Sequence, residues 1–373
     1  MKRHKVVSVV GTRPEGIKMA PVVRAFTQRS DIFEHILVST AQHREMLDDV
    51  FRIFGLKPDI DLQLMQPNQR LAQFAARSLA RLSDLFVELA PEAILVQGDT
   101  TTVMTAGLAA FYQGVKVGHV EAGLRSFDRR NPFPEEINRR IAGCVADLHF
   151  TPTTGARDNL LREGVAPESI FVTGNTIVDA LRSMPLDGAF ESAALNAVPF
   201  STRRVVLVTA HRRENHGAPL AAVCAALKIL AERFPDLAIV YPVHLNPNVQ
   251  VPVREALGNT PGIWLLDPLS YTDLLKVMNQ CHLILTDSGG IQEEAPSLHK
   301  PVLILRDVTE RPEVVEAGAG RLVGTDTDRI VSEASRLLTD PAAYLQMSAA
   351  ANPFGDGTAA DSIVRILAQS LAS

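Results

Sequence analysis

The sequence predicts an α/β protein with two doubly wound domains in tandem. The chain has 373 residues, which is more than one hydrophobic core usually accommodates, so two domains are expected. Short β-branched apolar runs alternate with longer segments of helical periodicity almost throughout the chain. Nearly continuous apolar strands joined by helices favour parallel sheets that are covered on both faces. The alternation begins again after Gly174-Asn175, so we place the domain boundary near this dipeptide.

Each predicted strand is a short apolar run. In the first half of the chain the strands are Val6–Val10, His35–Thr40, Ala93–Val96, Val115–Val120 and Leu148–Thr151. The clearest helix there runs from Leu71 to Leu89, where apolar residues recur every three to four positions. In the second half the strands are Val205–Thr209, Leu237–Tyr241, Ile263–Leu266, Leu283–Thr286 and Val302–Leu305. The predicted helices of that half include Leu220–Phe234, Tyr271–Gln280 and a last helix at Ala359–Leu371.

The composition is that of a globular protein of the cytoplasm. Hydrophobic residues make up 46% of the chain and charged residues 21%, which excludes disordered and fibrous classes. A net charge of −5 is no reason to expect nucleic acid as a partner. No apolar run approaches the ~20 residues that cross a bilayer, so no membrane partner is expected. The cysteines Cys144, Cys224 and Cys281 are odd in number and irregular in spacing, which favours a reducing compartment over disulfides.

A dense cluster of charge follows the predicted strand Val115–Val120. Glu121 and Arg125 come directly after this strand, and Glu135 and Arg139 open the next helical segment after a polar loop. Like and unlike charges in one turn region suit a site that moves protons beside an anionic substrate. The cluster is therefore the first hypothesis for a catalytic site.

Other chemistry-bearing residues also follow predicted strands. Ligands of open α/β sheets bind beyond the carboxyl ends of the strands, so these positions are the informative ones. Asp99 follows Ala93–Val96, where it suits either a helix cap or a site. His211 and His244 each follow a strand of the second half, where structural and functional roles both stay open.

Two strand–helix turns have the composition of anion sites. In the segment 11–18, Arg13 and Lys18 lie near a helix N-terminus, where backbone N–H groups favour an anion, although an ordinary connection is the alternative. The sharper signal is Asp287-Ser288-Gly289-Gly290, where two glycines allow a phosphate to approach the backbone. Glu293 or Glu294 follows within reach of a ribose diol, and Arg306 and Arg311 add the cations that a pyrophosphate needs.

Several other site classes have no sequence signal. The turn after Val6–Val10 is neither a dinucleotide fingerprint nor a Walker loop, and no G-x-S-x-G nucleophile elbow occurs. No His, Cys or carboxylate spacing matches a zinc or calcium site. We therefore predict no metal and no cofactor, so arginine, lysine and helix N-termini must meet any diphosphate charge.

Together these motifs resemble the non-hydrolysing UDP-N-acetylglucosamine 2-epimerases, which interconvert UDP-N-acetylglucosamine and UDP-N-acetylmannosamine. The likeness runs nearly from end to end, and the combination of motifs is specific where each alone is weak. The motifs lie at 11–15, 41–44, 98–101, 119–125, 134–139, 174–176, 211–215, 287–294, 310–313 and 352–357. Within the 126–131 loop, beside the sugar in this family, the sequence departs from the usual pattern.

The resemblance implies a two-domain, GT-B-like fold in which two Rossmann-like domains face a cleft. The N-terminal domain would be 1–173 plus 356–373, and the C-terminal, UDP-binding domain 174–355. The implied catalytic residues are Asp99, Glu121, Glu135 and His211. The implied substrate-binding residues are Arg13, Lys18, Arg139, Arg212, Ser288, Gly289, Gly290, Glu294 and Arg311. A second UDP-N-acetylglucosamine as activator is compatible with Gln42, Arg70 and His244, and a homodimer is expected from the family.

The chemistry of the sugar predicts an elimination. C2 has no neighbouring carbonyl to acidify its hydrogen, so a carboxylate of pKa ~4 does not deprotonate it directly. Departure of UDP builds oxocarbenium character at C1 and makes that hydrogen labile. A glycal forms, and UDP adds back after protonation of the other face, so acid/base groups are needed on both faces. The alternatives are a C2 epimerase of a UDP-diacetamido-uronic acid, a hydrolysing epimerase, a glycosyltransferase and a non-enzymatic nucleotide-sugar-binding regulator.

Overall fold

The structure is a computed structural model that describes residues 3–42, 44–66 and 69–372. It divides into two compact units. Unit 1 comprises Met1–Ser183 together with Phe354–Ser373, and unit 2 comprises Met184–Pro353. Of the motif at 41–44, His43 lies outside the described residues.

The described strands form two parallel sheets, one in each unit. Those of unit 1 are β1 (His4–Val10), β2 (Phe33–Ser39), β3 (Ile60–Asp61), β4 (Ala93–Gln97), β5 (Lys116–Val120), β6 (Leu148–Thr151) and β7 (Ile170–Val172). Those of unit 2 are β8 (Arg204–Thr209), β9 (Leu237–Pro242), β10 (Ile263–Leu266), β11 (Leu283–Thr286), β12 (Val302–Ile304) and β13 (Gly320–Leu322). The strand orders are β3-β2-β1-β4-β5-β6-β7 and β10-β9-β8-β11-β12-β13.

Helices connect the strands in both units. In the first part of the chain they are α1 (Arg13–Gln28), α2 (Arg44–Phe54), α3 (Leu71–Leu89), α4 (Thr101–Tyr112), α5 (Glu135–Val145), α6 (Thr154–Arg162) and α7 (Thr176–Arg182). They continue with α8 (Ala218–Arg233), α9 (Pro247–Leu257), α10 (Tyr271–Gln280), α11 (Gly289–Glu294), α12 (Pro312–Glu316), α13 (Thr327–Thr339), α14 (Pro341–Ser348) and α15 (Ala359–Ala372). The fold class predicted from the sequence, two doubly wound α/β domains, is confirmed.

The sheet of unit 1 is buried on both faces, which explains its apolar strands. Val6 and Val10 of β1 belong to a core with residues of α1 and α15, whereas Val7 and Val9 belong to a core with residues of α3 and α4. Successive side chains of a strand point to opposite faces, so a run of valines fills both cores at once. In unit 2, Val206 and Val208 of β8 pack with residues of α8, α9 and α13 in one cluster.

The predicted strands agree with the observed ones to within about two residues at each end, but three short strands are missed. β3, β7 and β13 have two to three residues each and lie at the edges of the sheets. Runs this short carry too few apolar residues for periodicity to register them. The missed strands lengthen the sheets and do not move the central strands that carry the site.

The domain boundary lies after α7. The sequence placed it before this helix, near Gly174-Asn175. The backbone N–H of Asn175 donates to the carbonyl oxygen of Phe354 at 2.7 Å. The carboxylate of Asp179 accepts a hydrogen bond of 2.9 Å from the N–H of Ala360, at the start of α15. These contacts attach the segment 174–183 to unit 1, so unit 2 begins at Met184.

Candidate active site

In each unit a group of site residues follows two neighbouring central strands. β1 and β4 are adjacent in unit 1, and the chain leaves them toward opposite edges of the sheet; β8 and β11 have the same relation in unit 2. This topological switch point is where ligands bind in open α/β sheets. Gly11 and Asp99 lie beyond β1 and β4, whereas His211 and Asp287 lie beyond β8 and β11.

A pocket of about 360 Å³ lies at the switch point of unit 1. The structure brings five of the residues predicted from the sequence to its wall: Lys18, Gln42, Asp99, Glu121 and Glu135. The remaining lining residues are Thr12, Pro14, Glu15, Leu71, Gln97, Gly98, Thr100, Thr101, Pro134 and Asn138. The three carboxylates predicted to act as acids and bases therefore share one concave site with a lysine.

Glu121 is held at the end of β5 by a cation and an amide. Its carboxylate accepts hydrogen bonds from Lys18 Nζ and from Asn175 Nδ2, the latter at 2.9 Å. The side chains of Lys18 and Glu121 are only 9% and 8% exposed. Glu121 has φ 63°, a left-handed conformation that costs free energy for a residue other than glycine. A strained backbone position and a desolvated ion pair are features that cluster at functional sites.

Asp99 and Glu135 reach the pocket from β4 and α5. Asp99 is hydrogen-bonded through its carboxylate to Arg139 Nη2, and its carbonyl oxygen accepts from Asn138 Nδ2 at 3.0 Å. Glu135 is the first residue of α5, so Glu135, Asn138 and Arg139 follow one another along one side of a helix. Arg139, predicted to bind substrate, contacts the carboxylates of Asp99 and Glu136 in the structure.

Glu136 anchors the loop that precedes α5. Its side chain is fully buried, and it accepts the backbone N–H groups of Ser126 at 3.0 Å and Phe127 at 3.2 Å. It also contacts Arg139 and Arg140 of its own helix. Glu136 therefore connects the 126–131 loop to the arginine that contacts Asp99. Glu136 is not among the site residues predicted from the sequence, although it belongs to the charge cluster after β5.

Glu15 is a buried carboxylate that the sequence analysis did not include among the site residues. It accepts the N–H groups of Gly11 at 2.8 Å and Thr12 at 2.6 Å and the hydroxyl of Thr100 at 2.5 Å. Burial raises the pKa of Glu15 to about 7, and these hydrogen bonds oppose the rise. The carboxylate joins the loop after β1 to the loop after β4. The T-x-x-E spacing of Thr12 and Glu15, which is typical of a helix N-terminus, was the available signal.

The remaining predicted residues of unit 1 lie around this pocket. Arg13 is the first residue of α1 and is partly buried between Thr12 and Pro14, which both line the pocket. Gln42 accepts a hydrogen bond of 2.9 Å from the hydroxyl of Thr102. Arg70 is exposed at the N-terminus of α3, directly before the pocket residue Leu71.

The switch point of unit 2 is organised by Asp287. One carboxylate oxygen, Oδ2, accepts the N–H groups of His211 and Arg212, each at 2.8 Å, and the amide of Asn215 at 3.0 Å. The ring of His211 stacks on that of His244, with 5.4 Å between centroids and 8° between planes. The two histidines that the sequence singled out are thus neighbours, and Asp287 is a further residue of this site.

Arginines converge beside the glycine turn of unit 2. Arg212, Arg306 and Arg311 lie 3.7, 3.5 and 3.6 Å from carboxylate oxygens of Glu310. A side chain on Gly289 would point at the guanidinium groups of Arg212 and Arg311, at 3.7 and 3.8 Å from its Cβ. The missing side chain therefore leaves the backbone at the start of α11 open toward two cations.

The other predicted residues of unit 2 belong to the same turn. Ser288 precedes α11, and Gly289 and Gly290 are its first residues. Glu294, in the last turn of α11, is buried and accepts a hydrogen bond of 2.8 Å from the hydroxyl of Tyr271. Arg311 Nε donates to Glu293 at 2.5 Å.

Within the ranges 3–42, 44–66 and 69–372, no helix combines the length and apolar character needed to traverse a bilayer. In the same ranges no group of three or more His, Cys, Asp or Glu side chains is arranged to hold a metal ion.

The sequence matches one protein family over most of its length. The family model described as UDP-N-acetylglucosamine 2-epimerase matches residues 24–368. The UDP-N-acetylglucosamine 2-epimerase of Escherichia coli strain K12 is 51% identical over 370 residues, which cover 97% of this chain and 98% of the relative. That of Bacillus subtilis strain 168 is 50% identical over 367 residues, which cover 98% of this chain and 96% of the relative.

Solved structures point to the same family. The UDP-GlcNAc 2-epimerase of Neisseria meningitidis, solved bound to UDP-GlcNAc, is 43% identical, with a TM-score of 0.89 and coverage of 98% of this chain and 100% of that chain. The Methanocaldococcus jannaschii enzyme, solved with UDP-GlcNAc and UDP, is 34% identical, with a TM-score of 0.80 and coverage of 98% and 99%. These matches confirm the resemblance predicted from the motifs. The chain belongs to the UDP-N-acetylglucosamine 2-epimerase family and is an isomerase.

Proposed function

We propose that this chain inverts C2 of UDP-N-acetylglucosamine reversibly to give UDP-N-acetylmannosamine. The observation that carries the proposal is the unit 1 pocket, which gathers Asp99, Glu121 and Glu135 around one space beside Lys18. Inversion at one carbon needs a proton acceptor on one face and a proton donor on the other. A pocket with several carboxylates can supply both, whereas simple binding of a nucleotide sugar requires neither.

The reaction proceeds through elimination and re-addition. The bond between C1 and the UDP oxygen breaks, and the developing charge at C1 makes the hydrogen on C2 acidic enough for a carboxylate to remove. The product is a glycal with a double bond between C1 and C2. A second acid then delivers a proton to the opposite face of C2, and the UDP oxygen bonds to C1 again. Atoms balance without any external oxidant or reductant.

The surroundings of the three carboxylates support a base and an acid on different faces of C2. Glu121 has a cationic partner in Lys18, which fixes its carboxylate at the pocket wall. Asp99 contacts Arg139, which orients it from α5. Glu135 begins α5, so it approaches the pocket from a different element than Glu121. Placement on separate elements is what an acid and a base on opposite faces require.

Unit 2 is proposed to hold the UDP portion. Arg212 and Arg311 flank Gly289, and guanidinium groups bind phosphate oxygens through paired hydrogen bonds. Gly289 and Gly290 offer the backbone N–H groups of the first turn of α11, Ser288 offers its hydroxyl, and Glu294 is the acceptor for the ribose hydroxyls. His211 would stabilise the charge that develops on the departing diphosphate. Arg13 and Lys18 are proposed to meet the nucleotide sugar from unit 1.

Further properties are proposed from the family. A homodimer in the cytoplasm is proposed, and activation by a second UDP-N-acetylglucosamine is a hypothesis. Gln42, Arg70 and His244 are the residues proposed for that second site. Sigmoidal dependence of rate on UDP-N-acetylglucosamine supports the activator, whereas a hyperbolic curve together with an unactivated reverse reaction contradicts it.

Deuterium exchange tests the proposed reaction. The protein is incubated with UDP-N-acetylglucosamine in deuterated water, and the sugar is followed by NMR. We expect deuterium at C2 of both epimers. The C2 proton is lost from one face, and the acid on the other face, which has exchanged its proton with the solvent, delivers a deuteron. Free N-acetylmannosamine would instead indicate a hydrolysing epimerase. An unchanged sugar would refute the proposal, and trials with a UDP-diacetamido-uronic acid and with sugar acceptors would then distinguish the related epimerase from a glycosyltransferase.

A further inference from the structure

Asp287 has two carboxylate oxygens with different surroundings. The residue is fully buried, directly after β11. Oδ2 accepts the N–H groups of His211 and Arg212 and the side-chain amide of Asn215. Three donors on one oxygen hold the loop after β8 to the end of β11. The hydrogen-bonding capacity of Oδ2 is therefore satisfied by donors of that loop.

The other oxygen faces the histidine ring. Oδ1 has no hydrogen-bond partner among the residues that the structure describes, and it lies 3.5 Å from His211 Nδ1. This separation is within ion-pair reach and long for a hydrogen bond. Burying a carboxylate oxygen without a hydrogen-bond partner costs free energy, so its presence in a folded protein calls for an explanation. Among the residues that the structure describes, the cation-forming group within 4 Å of this oxygen is the imidazole of His211.

The charges around His211 act in both directions. The pKa of its imidazole lies below the ordinary value of histidine because burial lowers it most; the carboxylate of Asp287 opposes this by raising it, and the neighbouring His244 lowers it further. Arg212 also lowers this pKa, whereas Glu214 raises it. Asp287 is the nearest negative group and the fully buried one, so its charge is the least screened by solvent.

We propose that Asp287 is the positioning partner of His211, fixing the loop with one oxygen and supplying the charge that faces Nδ1 with the other. The proposal rests on the function proposed above, in which His211 meets the charge on departing UDP. With Nδ1 directed to Asp287, Nε2 is the nitrogen left for the phosphate. An acidic partner on Nδ1 favours the imidazolium form, which is the form that stabilises an anionic leaving group.

The variant Asp287→Asn tests the charge. The amide is similar in size and can still accept the loop N–H groups, but it carries no charge. We expect kcat to fall about 100-fold, with a smaller change in KM, because the lost interaction matters most when the leaving group becomes charged. Removing the negative charge lowers the pKa of His211, so the falling alkaline limb of the kcat profile moves to lower pH. An unmoved limb would overturn the proposal.

Asn215→Ala is the matched control for the loop. It removes one donor to Oδ2 and leaves the charge that faces the ring. We expect a lower free energy of unfolding, with the alkaline limb of the kcat profile at the same pH as in the wild type. A limb displaced equally in Asn215→Ala and Asp287→Asn would mean that the loop conformation and not the charge is responsible, which contradicts the proposal.

The two residues should also behave as one unit. In the His211→Asn background, Asp287→Asn is expected to cost little further activity. Independent, multiplicative losses would overturn the pairing. Where Asp287→Asn does not fold, proton NMR of the wild-type enzyme with UDP provides the test. A downfield Nδ1 proton that disappears in His211→Asn supports the pairing, and its absence contradicts it.

NMR titration of His211 separates this proposal from the proposed reaction. A lower imidazole pKa in Asp287→Asn than in the wild type supports the pairing whether or not the enzyme exchanges deuterium at C2. If the pKa of His211 falls in Asp287→Asn but the wild-type enzyme leaves the sugar unchanged, the proposed reaction is refuted and the pairing is retained. If the wild-type enzyme exchanges deuterium at C2 but the pKa of His211 is the same in Asp287→Asn, the reaction is retained and the pairing is refuted.

Discussion

Site residues follow β1 and β4 in unit 1 and β8 and β11 in unit 2, which are equivalent strands in their two sheets. The carboxylates at these ends have different tasks. In unit 1 the strand-end Asp99 lines the pocket, and the loop after β1 is held by Glu15 from within α1. In unit 2 the strand-end Asp287 itself holds the loop after β8.

In the proposed function, this difference assigns two tasks to one topology. Glu15 holds the loop after β1, and Asp99 lines the pocket, where we propose that it takes part in proton transfer. In unit 2 the carboxylates Asp287, Glu293 and Glu310 are bound to loop N–H groups or arginines, so the site there presents cations. In our proposal, the same strand ends therefore serve proton transfer in one unit and anion binding in the other.

The largest expected effect comes from Glu121→Gln. If the carboxylates of unit 1 perform the proton chemistry, kcat should fall by about 10²- to 10⁴-fold, because the amide cannot take up the C2 proton. Deuterium incorporation at C2 and kcat are the measurements. Glu92→Gln is the control, since Glu92 contacts His4 away from the pocket and its removal should leave kcat unchanged. Wild-type activity in Glu121→Gln would contradict the assignment of chemistry to unit 1.

The second effect concerns the anchoring role of Glu15. Burial raises its pKa from 4.5 to about 7, so the folded state holds a proton that the unfolded state has lost in this range. The free energy of unfolding should therefore decrease as pH rises from about 4.5 to about 7, by up to about 3 kcal/mol. The variant Glu15→Gln cannot titrate and should lose this dependence. Urea denaturation across the pH range provides the measurement.

An exposed carboxylate provides the comparison for Glu15. Glu34 is 45% exposed on β2, so Glu34→Gln should keep the pH dependence of the wild type. If Glu15→Gln and the wild type lose stability equally between pH 4.5 and 7, the buried carboxylate is not the titrating group. The anchoring role would then have to be carried by a permanently ionised Glu15.

The smallest expected effect comes from Glu310→Gln in unit 2. The carboxylate lies within ion-pair distance of Arg212, Arg306 and Arg311, where it competes with any bound phosphate for the same cations. Neutralising it should strengthen UDP binding by about threefold, a modest change because partly exposed ion pairs are weak. Calorimetry with UDP measures this Kd. Weaker binding would mean that Glu310 positions the arginines and does not compete with the ligand.

Sequence alone predicted the central strands and the residues after them, because apolar runs and strand-end charges are local patterns. It identified Asp99, Glu121 and Glu135 before the fold showed that they share a pocket. It did not separate anchoring from chemistry, because only the structure shows that Glu15 and Asp287 accept backbone N–H groups of neighbouring loops. For Asp287 that distinction depends on a loop 75 to 76 residues away in sequence, whereas the N–H groups that Glu15 accepts are only three and four residues away. The domain boundary was displaced for the same reason, because α7 belongs to unit 1 through its contacts with Phe354 and α15.

The packing of α15 has a consequence for the order in which the chain folds during synthesis. Ile363, Val364 and Leu367 have no exposed surface and belong to the core that includes β1 and α1. The ribosome makes this helix only after the whole of unit 2. Domains usually fold in the order in which they emerge. Here unit 2, a continuous segment, can complete its core first, while the earlier unit 1 must wait for α15 to cover its sheet.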